Sequence, residues 1–304
     1  MKFFAILVAV ASLMSAQRQT PLIFDTDIGD DIDDALALAF ALQSPELDVR
    51  AVTTVADDVE SRARLAWKEL GVFNRRDIAL AIGAPEPLAD PMRVRHSAQF
   101  KILTEADVIP AAARVPAAAF IVAALKASAQ NVTVIAAGPL TNIALALKLD
   151  PSIKAKIEQI VLMGGAYASA KPEYNIGRDR LAARIVFDSG VPITAVGLDV
   201  TGQCQMRQQD MNRLRAAGDP RTMFLLRLIS LWKSETHQEF PILHDVLAVA
   251  VAARPDLIKT ESGRVTVEDG ITKFTEAGDA KTRIAKQVRA AEFFELFDKR
   301  IAGQ

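Results

Sequence analysis

Between Asp25 and Asp34 the chain reads Asp-Thr-Asp-Ile-Gly-Asp-Asp-Ile-Asp-Asp, six carboxylates within ten residues. Like charges at that density repel one another strongly unless a cation sits among them. Carboxylates are hard oxygen ligands, so these residue types point to a divalent ion such as Ca²⁺ or Mg²⁺. Two blander readings compete. Asp33 and Asp34 can cap the helix that follows and complement its dipole, but one cap needs one acid and leaves the others unexplained. Asp25, Asp27 and Asp31 also have the spacing of a helix-loop-helix calcium loop. There, however, glycine would fall at the fifth loop position instead of the sixth, and a strand precedes the loop.

The flanks place the cluster. Residues 22–24 are short and apolar and follow a proline, as a buried strand would, whereas the Ala- and Leu-rich run 35–42 is too long for a strand and predicts a helix over 34–43. The acids therefore sit on a strand-to-helix turn, the place where open α/β sheets bind ligands. Asp25 and Asp27 share one face of the strand end because strand side chains alternate.

The rest of the chain repeats that alternation. Strands are predicted at 49–55, 78–82, 132–136, 160–163 and 193–198, and helices at 61–71, 116–129 and 139–148. The Pro-rich stretch 83–110 reads as loop, and 210–253 as mostly helical. An Asp269-Gly270 turn between 264–267 and 271–274 predicts a β-hairpin, followed by a strand at 283–288 and a helix over 291–301. The pattern predicts an open, mainly parallel, doubly wound Rossmann-like sheet with helices on both faces, in one domain spanning 20–304.

Composition narrows the functions available. With 36 basic and 37 acidic residues and no basic run, the chain has no charge excess to neutralise phosphates, so nucleic acid is not an expected partner. Neither a Gly-x-Gly-x-x-Gly turn nor a Gly-Lys-Ser/Thr loop follows the first strand, which argues against a phosphorylated cofactor in that crevice. One cysteine, Cys204, rules out both an internal disulfide and a thiolate zinc centre, and three histidines leave little for a His-rich metal site. Residues 1–19 have an early Lys2, an apolar block and small residues at Ser15 and Ala16, the layout of a secretory leader removed near Ala16. An uncleaved membrane anchor is the alternative. The expectation is export, to a periplasm, with no stable membrane insertion once the leader is gone.

Further polar clusters stand where strands should end. Gly138-Pro-Leu-Thr-Asn142 follows the strand at 132, Met163-Gly-Gly and then Glu173-Tyr-Asn175 follow the strand at 160, and His244-Asp245 opens an apolar helix over 246–253. Taken singly, Asn142 can be a helix-start residue, Gly164-Gly165 a tight turn and Asp245 an N-cap. Together with Asp25-Thr-Asp-Ile-Gly and Asp33-Asp34-Ala-Leu-Ala-Leu, these segments resemble the inosine–uridine-preferring nucleoside hydrolase family, in consistent order from about Leu22 to Ala253.

That resemblance implies one Ca²⁺ held by Asp27, Asp34, the main-chain oxygen of Ala137 and Asp245. Asp33, Glu173 and Asn175 would hold ribose hydroxyls, and the backbone near Met163 would line the sugar pocket. Asp27 becomes the candidate base, and His244 the candidate acid, or else a helix-start histidine that orients Asp245. The implied substrate is a small-molecule ribonucleoside, taken for salvage, and the implied assembly a homo-oligomer.

The sequence also departs from the family. Asp30-Asp31 are extra in the first motif, so Asp31 or Asp33 could take the ribose-contacting position, and register with the helix favours Asp33. Asp58 stands where the family has a sugar-contacting Asn, and is expected to contact substrate. No clear residue remains for the 5′-hydroxyl. Base recognition falls to 83–110 and to the helix near 232–240, where Trp232, His237 and Phe240 could stack on or protonate a base, although an aromatic at helical spacing more often packs into a core. Two other functions compete: a metal-dependent phosphohydrolase with an Asp-x-Asp nucleophile, which lacks its usual continuation after Asp27, and a non-catalytic nucleoside- or ribose-binding protein.

Overall fold

The computed structural model describes residues 19–89 and 97–303. The predicted leader, apart from Gln19, and His96 lie outside the described residues. Among the described residues no helix is long and apolar enough to cross a membrane.

Among the described residues nine strands form one sheet: β1 (Thr20–Thr26), β2 (Leu47–Thr54), β3 (Ala79–Ala81), β4 (Val132–Ala136), β5 (Ile157–Met163), β6 (Ile193–Val196), β7 (Ile258–Glu268), β8 (Ile271–Glu276) and β9 (Thr282–Val288). Their spatial order is β3-β2-β1-β4-β5-β6-β9-β7-β8. All pairs from β3 through β9 are parallel, and only β7 runs against its neighbours β9 and β8. This is the expected mainly parallel, doubly wound sheet, with the predicted hairpin at one edge. The strand at 282–288 does not trail the hairpin as an appendage. It inserts between β6 and β7 and so joins hairpin and parallel sheet into one body.

The helices are α1 (Asp33–Leu42), α2 (Val59–Val72), α3 (Ala117–Ala127), α4 (Thr141–Leu149), α5 (Tyr174–Arg178), α6 (Arg180–Phe187), α7 (Leu198–Thr201), α8 (Gln208–Ala217), α9 (Pro220–Thr236), α10 (His244–Ala253) and α11 (Ala290–Ile301). Side-chain alternation along β1 sends Leu22 and Phe24 into a core shared with α1, α9, α10 and α11, and Ile23 into a second core shared with α3, α4 and α6. Helices therefore cover both faces. α1 and α10 pack against each other, and both are buried along most of their length, which explains why neither shows a polar stripe in sequence.

The strand order reverses at β1, whose neighbours β2 and β4 leave on opposite sides, so a crevice opens beyond the carboxyl ends of β1 and β4. Asn142 closes the underside of that crevice. Its side-chain amide donates to Asp25 Oδ1 (2.8 Å) and to the Thr54 carbonyl (2.9 Å), and its oxygen accepts from the Ala84 amide (2.9 Å). Asn142 is thus a cross-link between β1, β2 and the segment after β3 and does not act as the cap of α4. Gly83 is required beside it, because a Cβ there would lie 1.9 Å from the Thr54 carbonyl oxygen.

Asn142→Ala would strand a buried carboxylate, a carbonyl and an amide, and is expected to cost about 2–4 kcal/mol in urea denaturation. A loss below about 0.5 kcal/mol, the level of an ordinary surface change, would mean the cross-link carries no weight.

Candidate functional site

The two helices α1 and α10 meet at their N-termini, and each opens with acids. Neither has a side-chain cap: the capping positions are Ile32 and Leu243. Asp33, Asp34 and Asp245 lie inside the first turns and are spent otherwise. Asp33 Oδ2 accepts from the Asp245 amide at 2.9 Å, Asp34 accepts from the Thr26 hydroxyl, and Asp245 Oδ1 is buried with no hydrogen-bond partner. One oxygen from each of the three carboxylates lies within 4.8 Å of the others, which is the spacing of groups gathered around a common cation.

Electrostatics follow from that crowding. Burial is the first cause that pushes Asp33, Asp34 and Asp245 well above the ordinary carboxylate range. Mutual repulsion adds to it, from Asp31 and Asp27 on Asp33, from Asp27 and Asp33 on Asp34, and from Asp33, Asp34 and Asp27 on Asp245. Asp27 rises to about 7, driven by burial and opposed by Arg62. Burial and repulsion both favour protons on the cluster where no cation is bound, and an ion would replace them. An orphaned buried oxygen, all-oxygen donors and shared repulsion make this set a fit for a hard divalent ion.

Asp27 is set from two sides. The buried Arg62 guanidinium donates to the Asp27 carbonyl and to the Ile28 carbonyl (3.1 Å), tying the first turn to α2. Gly138 lies against it, since a Cβ there would come within 2.9 Å of both Asp27 N and Oδ1.

A cavity of about 890 Å³ covers these acids. Asp27, Asp33, Asp34, Ala137, Met163, Glu173, Asn175, His244 and Asp245 all line it, so nine of the ten residues singled out in the sequence come together. Asn175 Nδ2 donates to the Ala137 carbonyl (3.0 Å) and the Met163 carbonyl (3.1 Å), joining the ends of β4 and β5. Glu173 caps α5, accepting from the amides of Asn175 (2.8 Å), Ile176 (3.0 Å) and Gly165 (3.1 Å), while burial raises its carboxyl. His244 Nδ1 lies 2.7 Å from Thr201 Oγ1, and burial pulls its imidazole down to about 4. That burial disfavours the cationic form and leaves the ring in hydrogen-bonding reach of Thr201.

Asp58 is the exception. It accepts from the Ser61 amide at 3.0 Å as the N-cap of α2 and does not line the cavity. Its neighbour Asp57 turns inward because Ala56 and Asp57 both take left-handed backbone, with φ of 64° and 56°. That buried carboxylate pairs with Arg178 and stands 3.6 Å from Arg62. Two adjacent aspartates gave no clue to this reversal, which is a backbone property.

The mouth also differs from expectation. Among the described residues, none of 83–110 lines the cavity. Trp232 does, whereas His237 terminates α9 in left-handed backbone and Phe240 packs beside Lys233, both away from the cavity. Glu235 and Thr236 line it within the 232–240 stretch expected to meet the base, whereas Pro172, Tyr174, Arg178 and Leu198 were not singled out as lining residues by the sequence. For Tyr174 a signal existed, since it sits between two residues already assigned to the site.

Known proteins resemble this chain in sequence and in fold. Residues 22–295 match the inosine-uridine preferring nucleoside hydrolase family. The pyrimidine-specific ribonucleoside hydrolase RihA of Escherichia coli O139:H28 is 35% identical over 264 residues, covering 82% of this chain and 84% of that one. RihA of Salmonella newport has the same identity and coverage. Among solved structures, a plant nucleoside hydrolase, PpNRh1, superposes with a TM-score of 0.83 at 26% identity, covering 94% of this chain and 99% of the other. A purine-preferring ribonucleoside hydrolase from Gardnerella vaginalis does so with 0.79 at 29%, covering 93% and 98%.

Ion binding to chelator-treated protein should release protons and tighten as pH rises through about 7, the value to which Asp27 is raised. Because these acids titrate higher folded than unfolded, the ion-free fold should lose stability as pH climbs from the ordinary carboxylate range toward that value. Calorimetry in buffers of differing ionisation enthalpy reads the first effect and thermal melts the second. Affinity independent of pH, with no proton release, would contradict the cluster as described.

Proposed function

The chain belongs to the inosine-uridine preferring nucleoside hydrolase family, and from that premise we propose a calcium-dependent enzyme that hydrolyses the N-glycosidic bond of ribonucleosides to ribose and a free base. The observation that carries the reading is the convergence of Asp27, Asp33, Asp34 and Asp245 on one cavity with the Ala137 carbonyl and Asn175. The ion would be held by Asp27, Asp34, Asp245 and the Ala137 main-chain oxygen. When bound, Ca²⁺ supplies compensating charge and acidifies a coordinated water.

The chain's own groups do the rest. Asp27, an ionised carboxylate at the floor of the cavity once the ion is in place, is the group that would take a proton from the attacking water. As the glycosidic bond stretches, positive charge develops on the ribose ring, and the carboxylates lining the cavity stabilise it. Asp33 and Asn175 bind ribose hydroxyls, and Glu173 holds α5 so that Asn175 keeps its place. His244 hydrogen-bonds the departing base as a neutral imidazole.

Base preference does not transfer from the relatives, because one is named pyrimidine-specific and another purine-preferring. Export of the enzyme to a periplasm is supported by the leader-like residues 1–19, and a homo-oligomer by the family resemblance.

Purified protein incubated with a panel of ribonucleosides should release ribose, lose that activity to chelator and regain it best with Ca²⁺. Asp27→Asn, with its fold intact by circular dichroism, is expected to lose about 10²–10⁴-fold in kcat. Phosphate release from phosphomonoesters, with no ribose from any nucleoside, would replace this reading with the phosphohydrolase one.

A further inference from the structure

The pair Asp30-Asp31, extra relative to the commoner first motif, forms a wall of the cavity and is held from behind. Gln99, fully buried, donates from Nε2 to the Asp31 carbonyl at 2.9 Å and to the Asp30 carbonyl at 3.4 Å. The Phe100 ring backs Gly29, where even a Cβ would come within 2.5 Å of it. From that fixed turn the Asp30 carboxylate reaches across the cavity and accepts from the Tyr174 hydroxyl at 2.9 Å, a bond between residues 144 apart in sequence. Both residues line the cavity.

At its other end the bond holds α5, a single five-residue turn. A helix that short has no stability of its own and keeps its orientation only through tethers. Glu173 and Asn175 supply tethers to the ends of β4 and β5, and Tyr174, between them, supplies one to the opposite wall. We infer that Tyr174 and Asp30 form a clasp across the cavity, with Tyr174 a positioning residue that holds the sugar-binding helix α5 in register with the acidic turn. This deepens the ribohydrolase reading and rests on it for its kinetic consequence.

The sugar is common to every ribonucleoside, so loosening the clasp should weaken substrate binding equally whatever the base. A hydrogen bond at a half-exposed cavity mouth contributes little to global stability, so the fold should survive its loss.

The test uses Tyr174→Phe, Asp30→Ala, the double variant and Asp30→Asn, assayed on uridine, inosine and p-nitrophenyl β-ribofuranoside with the ion present. Tyr174→Phe and Asp30→Ala should each raise KM about tenfold, by the same factor on all three substrates, with kcat within about threefold. The double variant should be no worse than either single one, because both remove the same bond. Asp30→Asn, which keeps an acceptor oxygen, should stay near wild type. A KM change confined to one base would make Tyr174 a base contact, and unchanged KM would remove the clasp altogether.

Hydrogen exchange on the substrate-free protein gives a readout independent of activity. Tyr174→Phe should lose protection at 28–32 and at 173–178 together, and unchanged protection at both overturns the proposal. A wild type that releases no ribose overturns the ribohydrolase reading instead, and exchange alone then decides the clasp.

Discussion

The site depends on one contact: the abutting N-termini of α1 and α10, where the Asp245 amide donates to Asp33 across more than two hundred residues of chain. Bringing four carboxylates together in a buried place costs several kcal/mol for each one that stays ionised. What offsets it is apolar burial nearby. Leu36, Leu38 and Phe40 of α1, and Val246, Leu247 and Val249 of α10, are all fully buried, each contributing roughly 1.5–3 kcal/mol. Both helix dipoles point their positive ends at the cluster, a smaller favourable contribution of about 0.3–1 kcal/mol apiece. Helix packing therefore imposes the charge crowding, and proton or cation binding relieves it.

The neighbours of that contact hold one geometry among several the acids could adopt. Asp25 belongs to the same sequence cluster yet takes no part in the cavity. Buried behind it, raised to about 7 first by burial, Asp25 serves as the acceptor around which Thr53 and Asn142 lock β1, β2 and α4 together. Arg62 does the equivalent for the loop above, joining the backbone of Asp27 and Ile28 to that of Ala56 and standing beside Asp57. One strand end thus presents Asp25 to the scaffold and Asp27 to the cavity, because β1 ends at Thr26 and the alternation that would put both side chains on one face does not extend to Asp27. The difference lies in what packs against each side chain: the Asn142 amide donates to Asp25, whereas Gly138, which has no side chain, lies against the Asp27 carboxylate.

Period and punctuation made the sheet readable. Apolar runs of four to seven residues alternating with longer Ala- and Leu-rich stretches gave the parallel strands, and Asp269-Gly270 gave the hairpin. The strand at 132–136 was placed to the residue. α5 and α6 were not anticipated, since 174–187 mixes charge and apolar residues in turns too short to set up a period. At the site, acids concentrated in motifs were legible. Long-range pairings were not: Tyr174 with Asp30, Gln99 with Asp31 and Arg178 with Asp57 each join residues that no local pattern relates. The exchange of roles between Asp57 and Asp58 has the same origin, because two left-handed residues reverse the direction of the side chains that follow.

Floor and mouth of the cavity answer to different demands. The floor must supply hard oxygens and tolerate a sugar carrying positive charge, which leaves few alternatives to carboxylates, a carbonyl and an amide side chain. The mouth lies above it. It is built from separate pieces of chain: the extra pair Asp30-Asp31, Tyr174 on α5, Leu198 at the start of α7, and Trp232, Glu235 and Thr236 near the end of α9. None of these pieces carries the load between α1 and α10. Substitution at Leu198, Glu235 or Thr236 therefore leaves the acids beneath undisturbed.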